Sequence, residues 1–255
     1  MKHIIGHTGL VGKTLCETTN FDYKYNTKNI NEFKKNVNDG DEIVLTCLPA
    51  TKWLVNQNLK KDIENIYDII NLIKDNHYSK ITLISTIDVY NDSPIGVNED
   101  YSPNISTLSY GNNRYFFELM VKELVGYDDI KIYRLPALFN KHIKKNIIYD
   151  LLNDNNIGKI NTNSKYQWYN LDNLQMDITT MSEFHPNEIL FNLFPEPIPT
   201  KSIVNLFNIG EERPYWGDNE IIYNYKTKFN KDGYIMNQNK ILNQIEKLIN
   251  EISPK

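Results

Sequence analysis

The sequence predicts a doubly wound α/β fold, on three observations. An apolar pair at the start of the chain, Ile4-Ile5, runs directly into glycines at positions 6, 9 and 12. Two later stretches, Glu42 to Leu48 and Lys80 to Thr86, are almost continuously apolar, the pattern of parallel strands covered on both faces. Strand-like and helical stretches alternate up to Pro136, the order that builds a parallel sheet with helices on both sides.

The first element reads as a strand, a tight glycine turn and the N-terminus of a helix, because Leu10, Val11 and Leu15 recur at helical spacing after the glycines. A helix N-terminus offers unpaired N–H groups and a positive dipole end, which suits a phosphate. Glycine is needed where a Cβ would block the turn, an approaching pyrophosphate or helix-on-strand packing. The spacing is G-x-x-G-x-x-G. Gly12-Lys13-Thr14 imitates the end of a phosphate-binding loop, but Gly9 stands only three residues before Gly12. The first helix spans about two turns, since the alternation of residues 21–26 already marks the next strand. Residues 29–36 form a second short helix, and Pro49 ends the strand from Glu42. Ile63, Ile66, Ile69, Ile70 and Ile73 set a helix within residues 58–76, and residues 110–124 form an amphipathic helix. A strand from Asp129 to Leu135 stops at Pro136.

Beyond Pro136 the pattern changes. Residues 143–153 read as helix, 154–165 as a polar loop, and 188–193 as the last sheet strand. Thr200 is placed to cap a helix through Phe207, residues 208–234 are loop-rich, and the C-terminal helix carries Ile241, Ile245 and Leu248 on one face. The expected organisation is a core of residues 1–140 and a small lobe of residues 141–255, interleaved with the last strand and the C-terminal helix.

Composition limits the function. The chain has 255 residues, a net charge of −4 and an ordinary 40% of hydrophobic residues, so bulk electrostatic binding of nucleic acid is not expected. Cys16 and Cys47 read as small core residues in a reducing compartment. The opening apolar run is too short for a signal peptide, and no stretch approaches the roughly 20 residues of a membrane span, so a cytoplasmic protein without membrane partners is expected. His3, His7, His77, His142 and His185 have no paired ligand spacing, so no metal is expected. Of 28 basic residues only Arg114, Arg134 and Arg213 are arginine.

Ligands in such sheets bind beyond the carboxyl ends of the strands. Four polar features fall there: the glycine turn, Ser85-Thr86-Ile-Asp88-Val-Tyr90, Ser109-Tyr110-Gly-Asn-Asn-Arg114, and Arg134-Leu-Pro136-Ala-Leu-Phe-Asn140. In this order and spacing they resemble the extended short-chain dehydrogenase/reductase family, which includes sugar-nucleotide epimerases, dehydratases and reductases. The resemblance covers residues 1–140 and extends to Trp168-Tyr-Asn-Leu-Asp172 and Leu193-Phe-Pro-Glu196. It implies a Rossmann-type doubly wound parallel sheet with a small C-terminal substrate lobe.

The resemblance also implies a mechanism. Tyr110 exchanges a proton with a sugar oxygen, Thr86 hydrogen-bonds the same oxygen, and hydride passes to or from a nicotinamide. The family's lysine, one helical turn after the tyrosine, is here Arg114, giving Y-x-x-x-R. A tyrosine titrating near 7 needs about 3 units of lowering, and a fixed cation at i+4 is placed to supply it. The plainer alternative for Arg114 is a surface pair with Glu118. A literal Y-x-x-x-K, Tyr127 to Lys131, falls where Gly126, Asp128 and Asp129 suggest a loop and is set aside. Asp62 stands where the family has a structural asparagine.

By the same resemblance Gly6, Thr8, Gly9, Leu10 and Val11 face the dinucleotide, together with Leu48, Pro49, Tyr110, Arg114, Pro136 and Leu138. After the second strand the chain offers Asn26, Thr27 and Lys28 with no carboxylate, which leans toward NADP over NAD; a solvated turn is the alternative. Asp88, Asn140, Lys144, Lys145 and Asn146 are the substrate-side candidates. A solvated helix face explains the lysine pair equally well. The expected activity is NAD(P)-dependent oxidoreduction or epimerisation of a nucleotide-linked sugar by a homodimer paired through helices 58–76 and 110–124. The rival is a catalytically silent relative that binds the dinucleotide as a sensor or structural partner.

Overall fold

Ile4 and Ile5 are fully buried in β1 (Lys2–Ile5), the strand from which the sheet grows in both directions. The computed structural model describes residues 1–207 and 220–252. Part of the loop-rich stretch expected at 208–234, including Arg213, Pro214 and Gly217, lies outside them.

In chain order, α1 (Leu10–Thr18) leads into β2 (Tyr23–Tyr25), α2 (Phe33–Asn36) and β3 (Glu42–Leu45). Then follow α3 (Lys52–Val55), α4 (Leu59–Ile73), β4 (His77–Thr86), α5 (Tyr110–Leu124) and β5 (Gly126–Leu135). β6 (Ala137–Phe139), α6 (Ile147–Leu152), β7 (Lys165–Tyr166) and β8 (Trp168–Asn170) come next, then α7 (Leu174–Phe184) and β9 (Leu190–Asn192). β10 (Ile198–Pro199), α8 (Thr200–Val204) and α9 (Gln238–Ile252) complete the described chain.

Six strands form one parallel sheet in the order β2-β1-β3-β4-β5-β9. The order reverses at β1, which pairs with both β2 and β3, so the crevice for a ligand lies at the carboxyl ends of these strands. Side chains alternate between the two faces. Ile5, Leu45, Leu83 and Ile132 join Phe33 of α2, Ile66 and Ile70 of α4, and Phe117 and Val121 of α5 in one buried cluster. Tyr133, next to Ile132, points the other way, where its hydroxyl donates to the Ile178 carbonyl of α7 at 3.1 Å. The isoleucine stripe at 58–76 is thus the core face of α4, capped by Asn58, whose Oδ1 accepts from the Lys61 N–H at 3.1 Å.

The chain divides into two compact units. The first comprises residues 1–94, 101–134 and 173–192, and holds the six-stranded sheet. The second comprises residues 95–100, 135–172 and 193–255. Within it β6 pairs parallel with β8, and β7 antiparallel with β10. Trp168, Tyr169, Phe139 and Phe194 are buried there, with Ile241, Ile245 and Leu248 of α9.

Several sequence expectations need correction. The strand from Glu42 ends at Leu45, so Cys47 follows it instead of lying in it. β5 begins at Gly126, three residues before the expected strand start at Asp129, so Tyr127 sits in the strand with Lys131 and not in a loop. In a strand, positions four apart stand about 13 Å apart, so this Y-x-x-x-K still brings no two side chains together. Helix α6 begins only at Ile147, because Asn146 holds φ at 116°, outside helical space, and caps the Tyr149 N–H at 3.0 Å. Thr200 is the first residue of α8 and its buried hydroxyl finds no hydrogen-bond partner; Pro199 occupies the cap position. Helix α8 gives way to a 3₁₀ turn at Asn205–Phe207.

Candidate active site

Three close backbone approaches assemble the site of the first unit. Gly6 has φ of 99°, and its missing side chain leaves room for the Thr46 carbonyl of the turn after β3. At Gly12 a methyl group would overlap the Gly6 carbonyl, so α1 starts against the end of β1. A methyl at Gly111 would overlap the Asp88 carbonyl, so the first turn of α5 lies against the segment that follows Thr86.

That last contact brings the candidate residues together. Ser109 accepts from the Asn112 N–H at 3.1 Å and starts α5 at Tyr110, whose own N–H donates to Asn56 Oδ1 at 3.1 Å. Thr86 ends β4, and its hydroxyl accepts from the Asp88 N–H at 3.2 Å. The Asp88 carboxylate in turn takes Lys52 Nζ at 2.7 Å. Tyr110, Thr86 and Asp88, proposed separately from sequence, are thereby gathered around one backbone contact.

Arg114 is buried, not a surface residue. Its guanidinium forks onto Asp62, Nη1 to Oδ2 at 2.8 Å and Nη2 to Oδ1 at 3.0 Å, and Nη2 also donates to the Pro49 carbonyl at 2.7 Å. The surface pair with Glu118 is therefore overturned; Glu118 binds Arg134 through Nε at 3.0 Å and Nη2 at 2.6 Å. The Arg114 guanidinium lies 4.6 Å from the centre of the Tyr110 ring. Asp62 also accepts from Asn113 Nδ2 at 2.9 Å.

The expected lowering of the tyrosine is not what this arrangement produces. Burial holds the Tyr110 phenol above its ordinary value; Arg114 acts against that, and Asp88 and Asp62 reinforce it.

The glycine turn fits a bound phosphate. Gly9 has an ordinary φ of −70° and no side chain caps α1 there. A methyl group at Gly9 would meet only the Gly6 carbonyl, at 3.5 Å, so nothing inside the protein demands glycine at this position. Thr8 and Gly9 are exposed, and Leu10 and Val11 half-buried, at the open helix end. His7 Nδ1 is buried in the same turn with no hydrogen-bond partner. After β2 the two asparagines shape the turn: Asn26 Oδ1 accepts from the Lys28 N–H at 2.8 Å, and Asn29 Oδ1 from the Asn26 N–H at 2.8 Å. Thr27 and Lys28 stay exposed. Leu48 is half-buried and Pro49 exposed.

The remaining candidates belong to the second unit. Pro136 is buried and Leu138 half-buried in β6. Asn140 is buried, its Nδ2 on Asp172 at 3.1 Å and its Oδ1 on the His142 N–H at 2.9 Å. Asn146 donates to the Leu138 carbonyl at 2.8 Å besides capping α6. Lys144 and Lys145 are exposed. Sequence reasoning missed the contact made by Gly111 and the pairing of Asp62 with Arg114, of Lys52 with Asp88 and of Asn56 with the Tyr110 N–H. Asp62 carried a signal, as an acid where asparagine was expected, and Lys52 and Asn56 carried one by following Pro49, where the resemblance puts the nicotinamide side.

No known family profile matches the chain, and no curated protein sequence matches it. Solved structures do. A dTDP-4-dehydrorhamnose reductase from Yersinia enterocolitica superposes with a TM-score of 0.71 at 11% identity, covering 99% of each chain. RMD from Pseudomonas aeruginosa, complexed with NADPH, gives 0.68 at 10% identity over 98% of this chain and 96% of that one. MoeE5 in complex with UDP-glucose and NAD gives 0.73 at 10% identity over 97% of each. The six-stranded parallel Rossmann-like sheet and the elements around it therefore follow the fold of these proteins along nearly their whole length.

Proposed function

We propose that the protein is an NAD(P)-dependent oxidoreductase or epimerase acting on a nucleotide-linked sugar. The observation that carries this reading is the Gly111–Asp88 contact, which sets Tyr110 beside the segment following Thr86 at the carboxyl end of the parallel sheet. The glycine turn and the uncapped end of α1 support dinucleotide binding: Gly6, Gly9, Leu10 and Val11 would present backbone to the pyrophosphate. Thr27 and Lys28, both exposed with no carboxylate beside them in the turn, support a 2′-phosphate and hence NADP. When bound, the nicotinamide supplies or accepts hydride at the sugar carbon. Tyr110 holds or moves the proton of the sugar oxygen, and Thr86 and Asp88 orient that oxygen. Lys144 and Lys145, exposed in the second unit, are cations suited to phosphate, while the side chains of Asn140 and Asn146 are engaged within their own unit.

Calorimetric titration with NADPH and NADH, with and without UDP-, GDP-, CDP- and dTDP-sugars, tests the reading. Cofactor binding strengthened by one nucleotide sugar is the expected result; failure to bind either dinucleotide removes it. A Tyr110→Phe protein is expected to bind cofactor normally and to lose about 10²–10⁴-fold in turnover. Lys28→Ala should weaken NADPH about tenfold and leave NADH alone, and equal effects on both would remove the NADP preference. The catalytically silent rival is favoured by Arg114, whose charge is engaged by Asp62. Cofactor binding indifferent to every sugar would select it. Helices α4 and α5 are the proposed homodimer surface, with Tyr67 and Phe116 in edge contact at 6.0 Å between ring centres. Light scattering reads the mass directly, and a monomer would rule the pairing out.

A further inference from the structure

The charged groups around Tyr110 come from four elements and stand in two opposite-charge pairs. Arg114 stands one turn along its own helix and Asp62 comes from α4, joined at 2.8 Å with both side chains buried. Asp88 follows β4, and Lys52 of α3 neutralises it at 2.7 Å. Arg114 is committed further by the Pro49 carbonyl, and its guanidinium lies over the face of the Tyr110 ring. Asp62 is committed by Asn113. Two cations therefore meet two carboxylates: Arg114 favours a phenolate, but Asp88 and Asp62 oppose it and burial outweighs it. Arginine in place of the family's lysine and aspartate in place of its asparagine are thus one feature, a bidentate pair.

We infer that Asp62 and Arg114 act as a single neutral unit that keeps Tyr110 a proton donor, so that the site is built to reduce a carbonyl on the sugar. This rests on the oxidoreductase reading above. In the balanced step, hydride from the reduced nicotinamide dinucleotide bonds to the carbonyl carbon and the π pair moves onto oxygen. The Tyr110 proton bonds to that oxygen. An alcohol forms, the dinucleotide is left oxidised, and the phenolate regains its proton from water. Asp62 is a positioning residue here, acting on Tyr110 through Arg114.

The test reads the phenol itself and needs neither cofactor nor substrate. The pH-dependent phenolate absorbance of the protein, minus that of Tyr110→Phe, isolates one tyrosine. The expected result is no Tyr110 phenolate below pH ~10. Asp62→Asn, which frees the Arg114 charge, should bring the titration down by about 1–3 units. The double variant Asp62→Asn with Arg114→Lys should shift the same way, and it serves if the single variant fails to fold. Tyr110 titrating near 7 in the unmodified protein overturns the inference, and so does an unmoved titration in a folded variant. A purely structural Asp62 would leave that titration in place. Reduction of a nucleotide ketosugar by NADPH should then fall off at lower pH in Asp62→Asn than in the unmodified protein. Interconversion of two epimers without net reduction would overturn the inference and leave the enzyme reading standing. No turnover of any nucleotide sugar, with the titration as expected, would instead remove the enzyme reading.

Discussion

Arg114 and Glu118 stand one turn apart on α5, and each is buried against a charge brought from elsewhere in the first unit. Glu118 holds Arg134 of β5, with both side chains 1% exposed; Arg114 holds Asp62 of α4, with 7% and 3%. The Glu118 pair sits in a closed network. Arg134 Nη1 donates to the Tyr90 hydroxyl at 2.6 Å, that hydroxyl accepts from Asn192 at 3.0 Å, and Ser85 donates to Glu118. The network ties β4, α5, β5 and β9 into one block. The Asp62 pair instead reaches the Pro49 carbonyl of an exposed loop and the ring of Tyr110. The same chemistry thus lies inside a closed network in one place and beside the Tyr110 ring in the other, and i,i+4 spacing alone reveals neither.

Three substitutions sharpen this contrast. Arg134→Met strands the Glu118 carboxylate in the core and should cost about 3–5 kcal/mol in urea unfolding. Arg114→Met should cost less, about 1–3 kcal/mol, because the Arg114 side chain is 7% exposed against 1% for Arg134, so its removal leaves the partner carboxylate nearer to water. Equal losses would mean that both pairs serve cohesion alone. Tyr133→Phe probes the core side at high pH. Burial pushes the Tyr133 phenol from 10 up to about 12. Between these values the folded protein keeps a proton that the unfolded chain has released, so this contribution is intact below pH 10 and is lost as pH rises through about 12. The phenylalanine variant should therefore show a shallower alkaline decline by up to about 1.4 kcal/mol per pH unit, read from urea midpoints at successive pH values.

The parts of the fold that were legible are those written locally. The isoleucines of α4, the apolar runs of β3 and β4 and the serine cap of α5 each carry their signal within a few residues, and the boundaries of α5 at Tyr110 and Leu124 match the sequence reading. What stayed hidden depends on distant partners. β3 stops at Leu45 because the Thr46 carbonyl must pass the bare Cα of Gly6, a constraint some 40 residues away in sequence. The Asp62–Arg114 pair spans 52 residues, and each half looked like an isolated departure from the family pattern. Lys131 lies within the strand expected from sequence, but its burial was hidden because its ammonium donates to the Pro186 and Glu188 carbonyls, more than 50 residues away.

The three glycines of the first turn answer to different masters. Gly6 and Gly12 are demanded by neighbouring backbone, so a side chain at either is penalised during folding itself. Gly9, with room for a methyl group and an ordinary backbone angle, is not. A library screened only for soluble, well-folded protein would accept many residues at position 9 and reject them at 6 and 12. Stability screening would register little more than a helix-cap difference at that one position, and a screen for binding of the proposed dinucleotide is what would separate glycine from bulkier residues there.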